Sequence, residues 1–209
     1  MRKMMASVIL FNKPYGVHSQ FRKDHENMAT LADFFDDKTL RVAGRLDKDS
    51  EGLLVLTDDG RLNHAITTPK SDKRWGKTYL VQVENIPTQA QIDALRAGVT
   101  LKDGKTLPAI VKVLDTLPIA LWQRQPPIRE RQTIPTAWLS ITIFEGKNRQ
   151  VRRMTAHVGL PCLRLIRHQV GIWTLGELGV GQFVRLAVNP NKLISHPPLP
   201  KIKPRTTIT

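Results

Sequence analysis

The stretch VAGRLDKDSEGLLVLTDDG, residues 42–60, sets Asp47 between Arg45 and Lys48, just ahead of the apolar run Leu53–Leu54–Val55–Leu56. A carboxylate in such a place can shape a turn, pair with a base, or act as a nucleophile if a cation keeps it ionised. Asp49 and Ser50 are themselves good turn and cap residues, so spacing alone leaves the turn reading open. A second stretch, NRQVRRMTAHVG (148–159), supplies cations. Stepped at 100° per residue, Val151, Met154, Thr155 and Val158 fall on one side of a helix. Arg149, Arg152, Arg153, Ala156 and His157 fall on the other. One face packs, and the opposite face presents three arginines and a histidine. The planar arginine fork suits phosphate, and one arginine turned inward would supply a counter-charge for a buried acid.

The bulk composition agrees with a polyanionic partner. The chain has 209 residues, 32 Lys and Arg against 18 Asp and Glu, a formal net charge of +14 and a sequence pI near 10.3. A field of that size attracts nucleic acid; the plainer alternative is a solvated basic surface with no partner. Nine bases and two acids lie between Arg124 and Arg167, the most cationic part of the chain. A solvated helix face normally mixes signs, and this one does not. The single cysteine, Cys162, excludes an intrachain disulfide and fits a reducing cytoplasm. The six histidines are scattered without metal-ligand spacing, so no metal is expected. The apolar start is short, lacks a cleavage site and runs into Asn12–Lys13–Pro14, which reads as a strand rather than a leader. No run approaches membrane-spanning length.

The elements that must position these residues can be read in outline. Strands are expected at 7–11, 53–57, 78–83, 110–114, 137–144 and 183–188. The second could instead be a buried helical piece, because it does not alternate. In TYLVQV, Tyr79, Val81 and Val83 share one face and Leu80 takes the other. In 137–144, Leu139, Ile141 and Ile143 share a side. Thr30 and Asp33 form a capping box for a short helix through Phe35. Residues 86–98 form a helix with Thr88 as cap, Gln91 completing the box and Gly98 as stop. The helix over 148–159 takes Asn148 as N-cap and Gly159 as stop. RQPPIRERQTIPT is a basic, Pro-broken loop. Beyond Asn189, prolines and bases predict a mobile tail (189–209) after a main domain of residues 1–188. Strands outnumber helices without regular alternation, which predicts α+β with a mostly antiparallel sheet.

GRLDKDSEGLL resembles the catalytic motif of the RsuA-type ribosomal pseudouridine synthases. KTYLVQV (77–83) resembles that family's second motif and EGKNRQVRRM (145–154) its third, in the expected order, and FNKPYGV also matches. The resemblance runs from about Val8 to about Leu186. IPTQAQIDALRAGVTLKDG and the segment from Arg124 to Arg167 look most like the E-type enzyme that modifies large-subunit (23S) rRNA. It implies a pseudouridine synthase fold in two subdomains with a catalytic cleft. There is no room for the small S4-like domain that many relatives carry ahead of NKPxG. It also implies that Asp47 is the nucleophile, that Tyr79 stacks on the target base and is a possible proton acceptor, and that Arg152 pairs with Asp47. Arg45, Lys77, Arg129, Arg131, Lys147, Arg149 and Arg153 are the candidate RNA-binding residues. No cofactor is expected, because the isomerisation involves no redox change or outside group. The expected partner is 23S rRNA or a pre-ribosomal particle, met by a cytoplasmic monomer. GQFVRL departs from the family's Gly-x-aromatic-Arg, so Arg185 inherits no role. Competing readings are a synthase for small-subunit rRNA or tRNA, a non-catalytic RNA-binding or ribosome-assembly protein, and a nucleoside-cleaving enzyme that would release free uracil.

Overall fold

The computed structural model describes residues 5–68, 75–128 and 133–195. Its centre is a nine-stranded sheet: β1 (Ala6–Lys13), β2 (Arg41–Val42), β3 (Glu51–Thr57), β4 (Lys77–Glu84), β7 (Ile110–Leu114), β8 (Thr136–Ile143), β9 (Cys162–Val170), β10 (Trp173–Thr174) and β11 (Phe183–Val188). The main path runs β11-β1-β3-β9-β4-β8-β7, with β2 on β3 and β10 on β9. Every pairing is antiparallel except β3–β9. That parallel seam consists of two residue pairs, Glu51–Ile166 and Gly52–Arg167, and joins β11–β1–β3 to β9–β4–β8–β7. A separate hairpin, β5 (Thr100–Leu101) and β6 (Gly104–Lys105), stands beside it.

The ambiguous run 53–57 is a strand because it lies near the middle of this sheet. Every residue of β3 is buried, which is why its sequence does not alternate. The two sheet faces carry two cores. Ile9, Phe11, Val81, Leu139, Ile141 and Met154 belong to one, and Val8, Leu10, Leu80, Ile166 and Trp173 to the other. Neighbours along β1 and β4 thus alternate between cores, as the period of a strand requires. The α+β, mostly antiparallel expectation holds.

Four α-helices lie among the described residues: α1 (Gly60–Thr67), α2 (Gln89–Ala97), α3 (Gln150–His157) and α4 (Pro190–Ser195). The Thr88–Gln91 capping box opens α2 and Gly98 closes it, as expected. The Thr30–Asp33 box is also present, but it opens only a single 3₁₀ turn, Leu31–Asp33. α3 departs from expectation at its start. Asn148 does not cap it; Arg149 occupies the cap in the left-handed region, φ 47°, with no side-chain cap bond. Gln150 Oε1 instead accepts the Lys147 N–H at 3.1 Å. Residues 190–195, the first part of the expected tail, are helical, with Leu193 and Ile194 packed against the core and Asn191 accepting from Arg61. The remainder, from His196, falls outside the described residues.

Candidate functional site

Asp47 sits on the loop from β2 to β3, and this loop is held from several sides. Ser50 N–H donates to Asp47 O at 3.0 Å and closes a tight turn. Ser19 Oγ donates to Leu46 O at 2.7 Å and accepts Leu46 N–H at 3.1 Å. Gly16 N–H donates to Lys48 O at 2.7 Å, tying the loop to the NKPYG turn. That turn is itself wired by Lys13, fully buried, whose Nζ donates to Pro14 O and Val17 O. Burial lowers the Lys13 ammonium to about 7, against the pull of Glu51.

From below, Arg167 on β9 is 1% exposed and donates to Leu53 O and Gly44 O at 2.8 Å each. Immediately after the loop, Glu51 forms a buried pair with Arg164 at 2.8 Å and accepts from Trp122 Nε1 at 2.8 Å. Gly52 is required at the next position. Its φ is +96°, and a Cβ there would lie 2.5 Å from Arg167 O and 2.9 Å from Arg167 N across the seam. The apolar run thus anchors the loop that carries the acid to the middle of the sheet.

The third wall is the approach to α3. Arg149 donates to both carboxylate oxygens of Asp49 at 2.9 and 2.7 Å and lies 3.5 Å from Asp47 Oδ2. Arg152, the residue expected to pair with Asp47, is placed differently. It donates to Asp49 O at 2.7 Å and to Cys162, and its Nε is 3.5 Å from Asp49 Oδ2. Among the described residues the arginine in contact with Asp47 is Arg149, and Arg152 braces the loop one turn further on. Burial opposes ionisation of Asp49, but the hydrogen bond from Arg149 and the charge of Arg152 overcome it and hold its carboxyl below the usual range. Arg149 is raised in turn, chiefly by its bond to Asp49.

These walls enclose a cavity of about 220 Å³. Asp47, Tyr79, Arg45, Lys77, Lys147 and Arg149 all line it, so the structure gathers six of the residues singled out from sequence. Tyr79 is 8% exposed on β4, on the face of Val81 and Val83. One expected RNA contact stands elsewhere. Arg153 is paired with Asp103 through both guanidinium arms at 2.7 and 3.0 Å, away from the cavity. Arg129 and Arg131 fall outside the described residues. Lys147, at the cavity rim, also donates to the carbonyls of Asp103, Gly104 and Lys105 at 3.0–3.1 Å, so it and Arg153 dock the β5–β6 hairpin beside the opening.

Sequence reasoning missed Arg167, Asp49 and Ser19. Arg164 and Arg167 did carry a signal. Both sit inside a nine-residue strand pattern, CLRLIRHQV, and a base in a central strand must find a buried partner. Ser19 carried none, since a lone serine in a loop does not reveal a contact 27 residues away. No group of three or more His, Cys, Asp or Glu residues that could hold a metal occurs among the described residues, and no helix there is long and apolar enough to cross a membrane.

The comparisons with known proteins address the same region. Residues 7–157 match the family model described as RNA pseudouridylate synthase. A protein named ribosomal large subunit pseudouridine synthase E from Vibrio vulnificus (strain CMCP6) is 55% identical over 87% of this chain and 75% of its own length. One of the same name from Xanthomonas axonopodis pv. citri (strain 306) is 55% identical over 82% of this chain and 89% of its own. A solved structure titled crystal structure of pseudouridylate synthase superposes with a TM-score of 0.70 at 31% identity, covering 87% of this chain and 70% of that one. The motif order, the cavity around Asp47 and these similarities agree: the chain belongs to the RNA pseudouridylate synthase family.

Proposed function

We propose that this enzyme isomerises a specific uridine of large-subunit (23S) ribosomal RNA to pseudouridine, with Asp47 as the essential carboxylate. The observation that carries the reading is the convergence of Asp47, Tyr79 and Arg149 on one small cavity at the end of a rigid loop. The large-subunit substrate rests on the names of the more similar relatives.

The reaction breaks the N1–C1′ bond, turns the uracil and rejoins it through C5, with loss of the C5 proton. A uridine within folded RNA must first be flipped out, at a cost of a few kcal/mol offset by stacking and phosphate contacts. Tyr79 lines the same cavity; in this reading its ring stacks on the uracil and its hydroxyl takes the C5 proton. Asp47 attacks C1′ or C6, or balances charge while the base is eliminated; all three require an ionised carboxylate. Arg149, 3.5 Å away, sets a cation beside that carboxylate.

The test is to incubate the protein with unmodified large-subunit rRNA and map pseudouridine at single-nucleotide resolution, in parallel with Asp47→Asn. One modified uridine with wild type and none with the folded variant is the expected result. Modification by Asp47→Asn at a rate near wild type would return Asp47 to a turn-shaping role. Free uracil in the supernatant would favour nucleoside cleavage instead.

A further inference from the structure

We propose that Lys77 is a further catalytic residue of this site, donating a hydrogen bond to a carbonyl oxygen of the flipped uracil and stabilising the negative charge the ring carries once detached. The inference rests on the pseudouridine synthase reading above. Lys77 opens β4 two residues before Tyr79, and the two pair with Ile143 and Ile141 of β8, so they share a sheet face. Both line the Asp47 cavity. A ring stacked on Tyr79 therefore presents its edge within reach of a four-carbon side chain one strand repeat away.

The ammonium is poorly satisfied where it lies. Lys77 is 9% exposed, yet among the described residues its Nζ has a single hydrogen-bond acceptor, Ile66 O, at a long 3.4 Å. Its nearest charged influence is Arg167, of the same sign. An ammonium has three donors, so this one carries spare donors beside the cavity. A buried lysine held only for packing would be expected to keep a carboxylate or several carbonyls; Lys13, with two carbonyls at 2.7 and 2.8 Å, is that case in the same molecule. Ser50, on the same cavity wall, has a buried hydroxyl with no hydrogen-bond partner among the described residues. An ammonium with one long bond and an unpartnered hydroxyl on the same wall point to a ligand with hydrogen-bond acceptors, which a pyrimidine-dione has and an aliphatic group lacks.

The chemistry balances without any further reactant. When N1–C1′ breaks, the bonding pair leaves with the base, and the uracil becomes an anion with charge spread over its two carbonyl oxygens. An N–H already aimed at one of them stabilises this state more than the neutral starting ring. No proton needs to pass to the ring, so Lys77 stays an ammonium throughout. Turning the ring about its N3–C6 axis exchanges N1 with C5 and one carbonyl with the other, so the same donor meets a carbonyl oxygen before the turn and again when C5 bonds to C1′.

Burial, reinforced by Arg167, lowers the Lys77 ammonium to about 8. The other ionisable groups sharing the cavity are Arg45 and Asp47 from the loop, Tyr79 from β4, Lys147 and Arg149 from the approach to α3, and Arg167 from β9. The charged ammonium is a much stronger donor to a developing anion than the neutral amine, so activity should be full below about pH 8 and fall as pH rises through it.

The experiment compares wild type, Lys77→Met and Lys77→Arg on an rRNA that wild type modifies, reading single-turnover rate at saturating enzyme, RNA affinity, and the pH profile of the rate. The expected result is a rate loss of roughly 100-fold or more in Lys77→Met, with affinity within about threefold. Lys77→Arg should recover a substantial part of the rate and lose the fall near pH 8. A Lys77→Met rate within threefold of wild type overturns the proposal. So does a loss confined to affinity, which would make Lys77 a phosphate contact, or a wild-type profile flat from pH 7 to 9, which decides the matter even if Lys77→Met does not fold. Wild type that forms no pseudouridine would sink the functional reading first; an active wild type with an indifferent Lys77→Met sinks only this inference.

Discussion

Asp47 and Asp49 compete for one guanidinium, and that competition defines the residue scale. Arg149 gives Asp49 two short bonds and Asp47 one contact at 3.5 Å, from a backbone conformation costing about 1–3 kcal/mol. Arg152 reaches the same loop through the Asp49 carbonyl. Lysine keeps charge but loses the fork, so Arg149→Lys should slow the single-turnover step by at least tenfold. Arg152→Lys should slow it less and lower the unfolding midpoint more, because its contacts are to backbone and Cys162. Equal rate losses without a stability difference would mean that both act on the reacting carboxylate. Asp49 adds a pH prediction. Its carboxyl is held below the ordinary value, so its stabilising contribution is present above about pH 4 and is lost as pH falls through the lowered value. Asp49→Asn should therefore flatten the acid side of a stability-against-pH curve measured by urea unfolding. An unchanged acid limb would mean that Asp49 is paired no better when folded than when unfolded. Asp47 and Tyr79 were legible from motif and strand period. The choice between Arg149 and Arg152 was not, because it depends on a left-handed residue at a helix entry that only tertiary contacts impose.

The elements show why the loop is rigid and how much of that could be read in advance. β1, β4, β8 and α2 follow from period, caps and turn residues. β3 stayed ambiguous because a strand buried on both faces erases its own alternation. α3 was legible by its faces but not by its start, where Gln150, rather than Asn148, meets the free N–H of Lys147. The seam between β3 and β9 left one mark in the sequence, the glycine of EGLL. Gly52→Ala combines a strained φ with a Cβ driven into the Arg167 backbone. It should cost roughly 3 kcal/mol in chemical denaturation and reduce activity further than that loss explains, since the loop hangs on this pair. A change under about 1 kcal/mol would show that the strands can part without consequence.

For the whole molecule, the charge of +14 is the dominant fact, but it is not evenly available. Arg149 and Arg153 are each held by two bonds to an aspartate, so phosphate must displace or share those partners. Lys102 and Lys105 stand exposed on the β5–β6 hairpin that Lys147 and Arg153 dock beside the cavity. RNA affinity should fall steeply with salt. Alanine at Lys102 or Lys105 should reduce the log–log slope by roughly 0.7 to 0.9 each, and Arg153→Ala by less. Site choice should survive all three, because phosphate contacts position RNA without reading bases. Slopes identical to wild type in the two lysine variants would place the RNA on another face.

The two-pair seam also sets how the site moves in time. Its loop enters the sheet at the join between the two halves, beside β3, whose residues are all buried. Deuterium should therefore enter the amides of Leu53–Leu56 only when the whole domain unfolds. The hairpin at 100–105, exposed and tethered by a few side-chain bonds, should exchange through local opening at a much lower free-energy cost. Bound RNA should slow exchange in the hairpin while leaving the pattern within β3 unchanged. The enzyme would then present a stationary acid beneath a yielding rim, with the adjustment to different RNA backbones taken up at the edge of the site and none of it at the reacting carboxylate.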